Sequence, residues 1–117
     1  MRNFREYDVW NDAMQLVLDV YAVTKQFPTA EVYGLSNQIQ RAVVSIPSNI
    51  AEGSGRKSDS DFAHFLNIAL GSAFEVETQL RIAYSLNYID EPSCTKVVER
   101  TMTIEKELTN FINAIKR

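Results

Sequence analysis

Residues 35–57 read Leu-Ser-Asn-Gln-Ile-Gln-Arg-Ala-Val-Val-Ser-Ile-Pro-Ser-Asn-Ile-Ala-Glu-Gly-Ser-Gly-Arg-Lys. Leu35, Ile39, Ala42, Val43, Ile46 and Ile50 recur in steps of three and four, the spacing of one face of an α-helix. Pro47 interrupts that run. An interior proline leaves the carbonyl of Val43 without its amide partner and costs about 3 kcal/mol. The apolar phase nevertheless carries from Ile39 through Ile46 to Ile50, which predicts one helix kinked at Pro47 rather than two short ones. Gly53-Ser54-Gly55-Arg56-Lys57-Ser58 supplies its stop.

Helical periodicity extends outward on both sides. A first helix is expected from about Asp8 to Gln26, carrying Val9, Trp10, Ala13, Met14, Leu16, Val17, Val20, Tyr21 and Thr24. Phe27-Pro28 ends it, because the residue before proline avoids the α region. A third helix starts at Ser58 or Asp59. Ser58 or Asp59 can cap it, and Asp59 and Asp61 suit the positive end of the helix dipole. Phe62, Phe65, Leu66, Ala69, Ala73, Val76, Leu80 and Ala83 take it to about Leu86–Tyr88. Gly71 and Ser72 lie in its middle, where glycine costs roughly 1 kcal/mol against alanine; a close helix–helix approach at that level is one explanation, plain tolerance the other. A fourth helix runs from about Glu91 to Ile115. Its seam Val97, Thr101, Ile104, Leu108, Phe111 and Ile115 has the alternating steps of a left-handed bundle.

Neither an internal repeat nor a linker-like stretch occurs, so residues 1–117 form a single domain. Four helices on short connections predict an all-α, up-down-up-down antiparallel four-helix bundle. The first helix carries more apolar surface than one seam needs. So does the fourth, through a second stripe of Val98, Met102 and Ile112. Surplus stripes of this kind mark contacts between subunits, and a homo-oligomer is expected.

Composition narrows the chemistry. One cysteine, Cys94, excludes an internal disulfide and a Cys-rich zinc site, and one histidine, His64, makes a His-based metal site or relay improbable. Twelve Lys and Arg against fifteen Asp and Glu leave a net charge of −3, unlike an obligate polyanion binder. No apolar core follows the basic start Met1-Arg2-Asn3-Phe4-Arg5, and no run of about 18 apolar residues exists, so a cytoplasmic location and no membrane span are expected. Glu-x-x-His, the di-iron bundle pattern, is absent. Gly53-Ser-Gly-Arg-Lys-Ser58 lacks the glycine spacing of a phosphate loop, which leaves a helix-ending turn with some capacity for anions through Arg56 and Lys57. No catalytic residue, cofactor or metal is assigned.

Charge is uneven along the chain. Residues 35–57 carry +2 (Arg41, Arg56 and Lys57 against Glu52) and residues 58–90 carry −4 (Arg81 against Asp59, Asp61, Glu75, Glu77 and Asp90). The second and third helices are therefore complementary. Arg41, Ser45, Asn49 and Glu52 share one polar side of the second helix. An inter-helix network is expected there, with Arg41 paired to Glu75 or Glu77. The alternative use of the cations is contact with RNA phosphate through Arg41, Arg56, Lys57, Lys96, Arg100, Lys106, Lys116 and Arg117.

Several stretches carry a family resemblance: Phe4-Arg-Glu-Tyr-Asp-Val-Trp10, Tyr33-Gly-Leu35, Ile39 to Arg56 with Ser45-Ile-Pro-Ser-Asn-Ile-Ala-Glu-Gly53 at its centre, and Glu75-Val-Glu-Thr-Gln-Leu80. Over essentially the whole chain the sequence resembles the bacterial four-helix-bundle family named after proteins encoded in intervening sequences of 23S ribosomal RNA genes. The resemblance implies a ring-like homopentamer and no established catalytic residues. A related protein, the accessory variability determinant of diversity-generating retroelements, implies as an alternative an RNA-binding accessory protein that works with a reverse transcriptase or an RNA-processing partner.

Overall fold

The helix written across Pro47 runs unbroken from Leu35 to Ser54 (α2). In the computed structural model, which describes residues 2–116, it is one of four helices, with α1 at Asp8–Thr24, α3 at Asp59–Ser85 and α4 at Glu91–Lys116. Short 3-10 turns at Phe4–Glu6 and Thr29–Glu31 precede α1 and α2, and no strand occurs among the described residues. Each helix packs on the next in sequence, and α1 closes against α4, while the backbones of the diagonal pairs stay apart across the core. The bundle measures 43 × 24 × 19 Å. Its long axis suits the 26 residues of α4 at about 1.5 Å each.

Local chemistry sets the helix ends. The Ser58 hydroxyl accepts from the Asp61 amide at 3.0 Å and starts α3. Asn87, with φ 62°, ends it, because asparagine tolerates the left-handed region, and the Tyr88 amide folds back to the Ala83 carbonyl at 2.8 Å. The Asp90 carboxylate accepts from the Ser93 amide at 2.8 Å and caps α4. Glu31 serves both connectors at once. One carboxylate oxygen accepts from the Leu35 amide at 2.9 Å, and the other from the Tyr88 hydroxyl at 2.8 Å.

Leu16 and Val20 of α1, Ile39, Val43, Ile46 and Ile50 of α2, Leu66, Val76 and Leu80 of α3, and Ile104 and Leu108 of α4 are buried in the core. Each such side chain contributes roughly 1.5–3 kcal/mol by leaving water. Thr101 is wholly buried within the seam of α4 and satisfies its hydroxyl on the Val97 carbonyl at 2.7 Å. Phe62, Tyr7 and Phe111 form an aromatic cluster at the end where α2 turns into α3: Phe111 meets Tyr7 and Phe62 edge-on with centroids 5.0 and 5.4 Å away, and Tyr7 stacks on Phe62 at 6.3 Å.

The structure settles one open alternative and corrects one expectation. At mid-helix α2 and α3 do approach closely, but through Ser72, whose Oγ lies 2.8 Å from Ser45 Oγ, while Gly71 stands in open space; the glycine under close contact is Gly53. A Cβ on Gly53 would stand 2.6 Å from Cβ of Phe65, whereas one on Gly71 would meet nothing within 4 Å. The second stripe of α4 is not surplus, since Val98 and Ile112 are buried in the core and only Met102 is exposed. The third helix supplies exposed apolar surface instead, at Ile68, Phe74 and Ile82.

Candidate functional site

The polar side of α2 does meet α3, through small groups rather than charges. Ser45 and Ser72 share a hydrogen bond of 2.8 Å between their Oγ atoms. Asn49 Nδ2 donates to Ser45 Oγ at 2.9 Å and to the Ser45 carbonyl at 2.8 Å. Glu52 is not part of this set; it pairs one turn on with Arg56 at 2.5 Å. Glu75 accepts from Gln79 Nε2 at 3.2 Å, and Gln79 also donates to Gln38 across the interface at 3.4 Å.

Arg41 is exposed and takes part in none of the ion pairs among the described residues, so its expected pairing with Glu75 or Glu77 does not form. The reason lies in the faces of α3. Glu77 sits on the flank turned toward α4, where Arg81 holds it at 2.8 Å, and Glu75 is taken by its own helix.

That flank holds a feature the sequence reading missed. Glu77 of α3 meets Glu105 of α4, and on the opposite flank of α4 Asp12 of α1 meets Glu107. Burial, then the neighbouring carboxyl, pushes Glu105 up to about 7, and burial followed by Asp12 and Asp8 does the same for Glu107. The hydrogen bond from protonated Glu105, aided by Arg81, holds Glu77 below the usual carboxylate range. Oε2 of Glu105 and Oε1 of Glu107 are buried without hydrogen-bond partners. Each pair sets two carboxyl groups of different helices face to face, so periodicity within one helix carries no trace of it.

The candidate cations scatter. Arg100 pairs with Asp19 of α1 at 2.5 Å, and Lys96 and Lys106 lie exposed along α4. Lys116 borders a shallow notch with Asp59 and His64, and Arg117 lies outside the described residues. Arg56 and Lys57 alone among them come together with other cations. Arg2 and Arg5, which the sequence reading did not single out, join them around a cleft of about 770 Å3 also lined by Phe4. The only earlier sign was the interleaved Arg-Asn-Phe-Arg at residues 2–5.

The remaining reactive side chains are placed structurally. Cys94 is buried, its Sγ 3.9 Å from the Leu80 carbonyl, and burial pushes the thiol up. His64 is exposed and lies edge-on to Phe65 with centroids 5.7 Å apart. Among the described residues no three His, Cys, Asp or Glu side chains are grouped to hold a metal ion, and no helix is long and apolar enough to cross a membrane.

The sequence profile of the 23S rRNA-intervening sequence protein family matches residues 5–110, and the chain belongs to that family. The fold is similar to the crystal structure of a protein of unknown function from the S23 ribosomal protein family of Bacteroides thetaiotaomicron VPI-5482, with a TM-score of 0.83 and 28% identity. That match covers 89% of this chain and 97% of the other. No curated protein matches the sequence.

Proposed function

With membership of this family as the premise, we propose that the chain is a non-catalytic binding or scaffold protein that works as a homo-oligomer, a pentamer by the family resemblance. The observation that carries this reading is the outer face of α1. Met14, Leu18 and Tyr21 fall at i, i+4 and i+7 and are all exposed, Leu18 by 64%. The hydrogen bond from Gln40 to Thr24 at 3.0 Å ties α2 to this end of α1, and one turn along α2 from Gln40, Val44 is exposed as well. A continuous apolar stripe of this kind on a small domain is stabilised by a second copy. Light scattering at micromolar concentration should return several times 13.3 kDa, near five times for the pentamer. Leu18→Asp should lower that mass without unfolding the helices. A monomeric wild type sinks the reading.

A second reading, an accessory protein that binds RNA, draws its support from the four cations gathered at the α2–α3 turn.

A further inference from the structure

We propose that the cleft between the N-terminal 3-10 turn and the α2–α3 turn binds the phosphodiester backbone of a single RNA strand. The inference rests on the second reading above and gives it an address. Arg2, Arg5, Arg56, Lys57 and Phe4 line the cleft, and no carboxylate does. Its volume of about 770 Å3 falls in the range of small-ligand clefts, roughly 300–1,000 Å3.

The four cations divide into two kinds. Arg2 and Arg56 are fixed parts of the wall. Arg2 donates to the Arg56 carbonyl at 2.6 Å and to Asp59 at 2.5 Å, and its guanidinium lies 4.7 Å from the Phe62 ring centre. Arg56 pairs with Glu52 and lies 4.6 Å from the Phe65 ring centre. Arg5 and Lys57 are exposed and take part in none of the ion pairs among the described residues. Asp59 and Glu52 thus offset two charges of the cluster, and Arg5 and Lys57 remain for phosphate.

The aromatic side chains select the kind of anion. The Arg5 guanidinium stacks 4.4 Å over Phe4, whose ring meets Trp10 edge-on at 5.2 Å. A guanidinium plane backed by an aromatic ring presents its second face to an unpaired base. Cations beside a stacking platform make the arrangement that holds single strands with little regard to sequence. A peptide carboxylate would use the cations and leave the platform idle. The net charge of −3 keeps such binding weak and strongly salt-dependent.

The test is fluorescence anisotropy with a labelled oligouridylate of about ten nucleotides in about 50 mM salt. Arg5→Ala with Lys57→Ala should weaken binding roughly tenfold or more and lower the log–log salt slope by about 1.4, close to 0.7 for each lost phosphate. Lys96→Ala with Lys106→Ala removes the same charge from α4 and should leave both quantities near wild type. Unchanged melting of the first pair establishes that the bundle is intact. If the wild type binds and both double variants match it in affinity and slope, the site is wrong while the RNA reading stands. If the wild type does not bind even at low salt, both fail. If an RNA duplex binds as tightly, or polyglutamate competes equally, the single-strand assignment is overturned.

Discussion

The α2–α3 interface and the two flanks of α4 bury polar groups by opposite means. Between α2 and α3 the polar contacts that cross the interface are between neutral groups: Ser45, Asn49 and Ser72 answer one another, and Gln79 donates to Gln38 while its own Oε1 stays without a partner. Along α4 the polar groups are carboxyls facing carboxyls, Glu77 with Glu105 and Asp12 with Glu107, and two buried oxygens stay unpartnered. The first arrangement is indifferent to protons and intolerant of volume. In the second, burial and the facing carboxyl favour the protonated forms of Glu105 and Glu107. α4 is therefore the helix whose packing should weaken as pH rises, while the α2–α3 hairpin should respond to added volume.

Phe62 anchors the hairpin to Tyr7 and Phe111, so Phe62→Ala should cost about 3–5 kcal/mol in a denaturant melt. A loss near 1 kcal/mol would mean the hairpin end is loosely packed. Gly53→Ala comes next. Alanine gains up to about 1 kcal/mol of helix propensity, but its Cβ would press on the root of the Phe65 side chain at 2.6 Å, so a net loss of about 1–3 kcal/mol is expected. A net gain would show that α2 and α3 can part at no cost.

The proton dependence comes third. Glu105 and Glu107 titrate near 7 when folded and near 4.5 when unfolded, so the folded chain keeps protons that the unfolded chain has released. Stability should therefore fall as pH rises from about 4.5 through 7, by about 1–2 kcal/mol in all once solvent screening of these partly exposed groups is allowed for. Thermal melts at pH 5 and pH 8 measure it, and Glu105→Gln with Glu107→Gln should flatten the difference. A profile that rises over that interval would contradict the carboxyl pairing. Smaller still, Gly71→Ala should stabilise by about 0.5–1 kcal/mol, because its added methyl meets only open space. A loss there would place another subunit against the outer face of α3. Arg41→Ala should move stability by less than about 0.5 kcal/mol, since the side chain is exposed and unpaired among the described residues. A cost above 1 kcal/mol would reinstate its pairing across α2 and α3.

Much of the fold was legible because burial is periodic. The phase from Ile39 through Ile46 to Ile50 outweighed Pro47, and the seam Val97, Thr101, Ile104 and Leu108 matched the buried line of α4. Gly53 and Gly71 look alike in sequence, and only the crossing of α2 over α3 distinguishes a glycine under a phenylalanine from one in open space. Of the candidate site, Ser45 and Asn49 were legible from their shared side of α2, and Arg56 and Lys57 from their turn. Arg2 and Arg5 were not, because half the chain separates them from the residues they join.

By itself, then, the sequence determined which residues form helices, where each helix stops and which stripe of each is apolar, since these depend on neighbours within a turn or two. Tertiary structure alone decided which charges pair, which glycine is a contact and which carboxyls face one another. Those outcomes turn on the axial register and facing of whole helices, where a shift of one residue turns a side chain by about 100°. Arg41 shows the consequence: charge complementarity between α2 and α3 was real, but Glu77 faced α4.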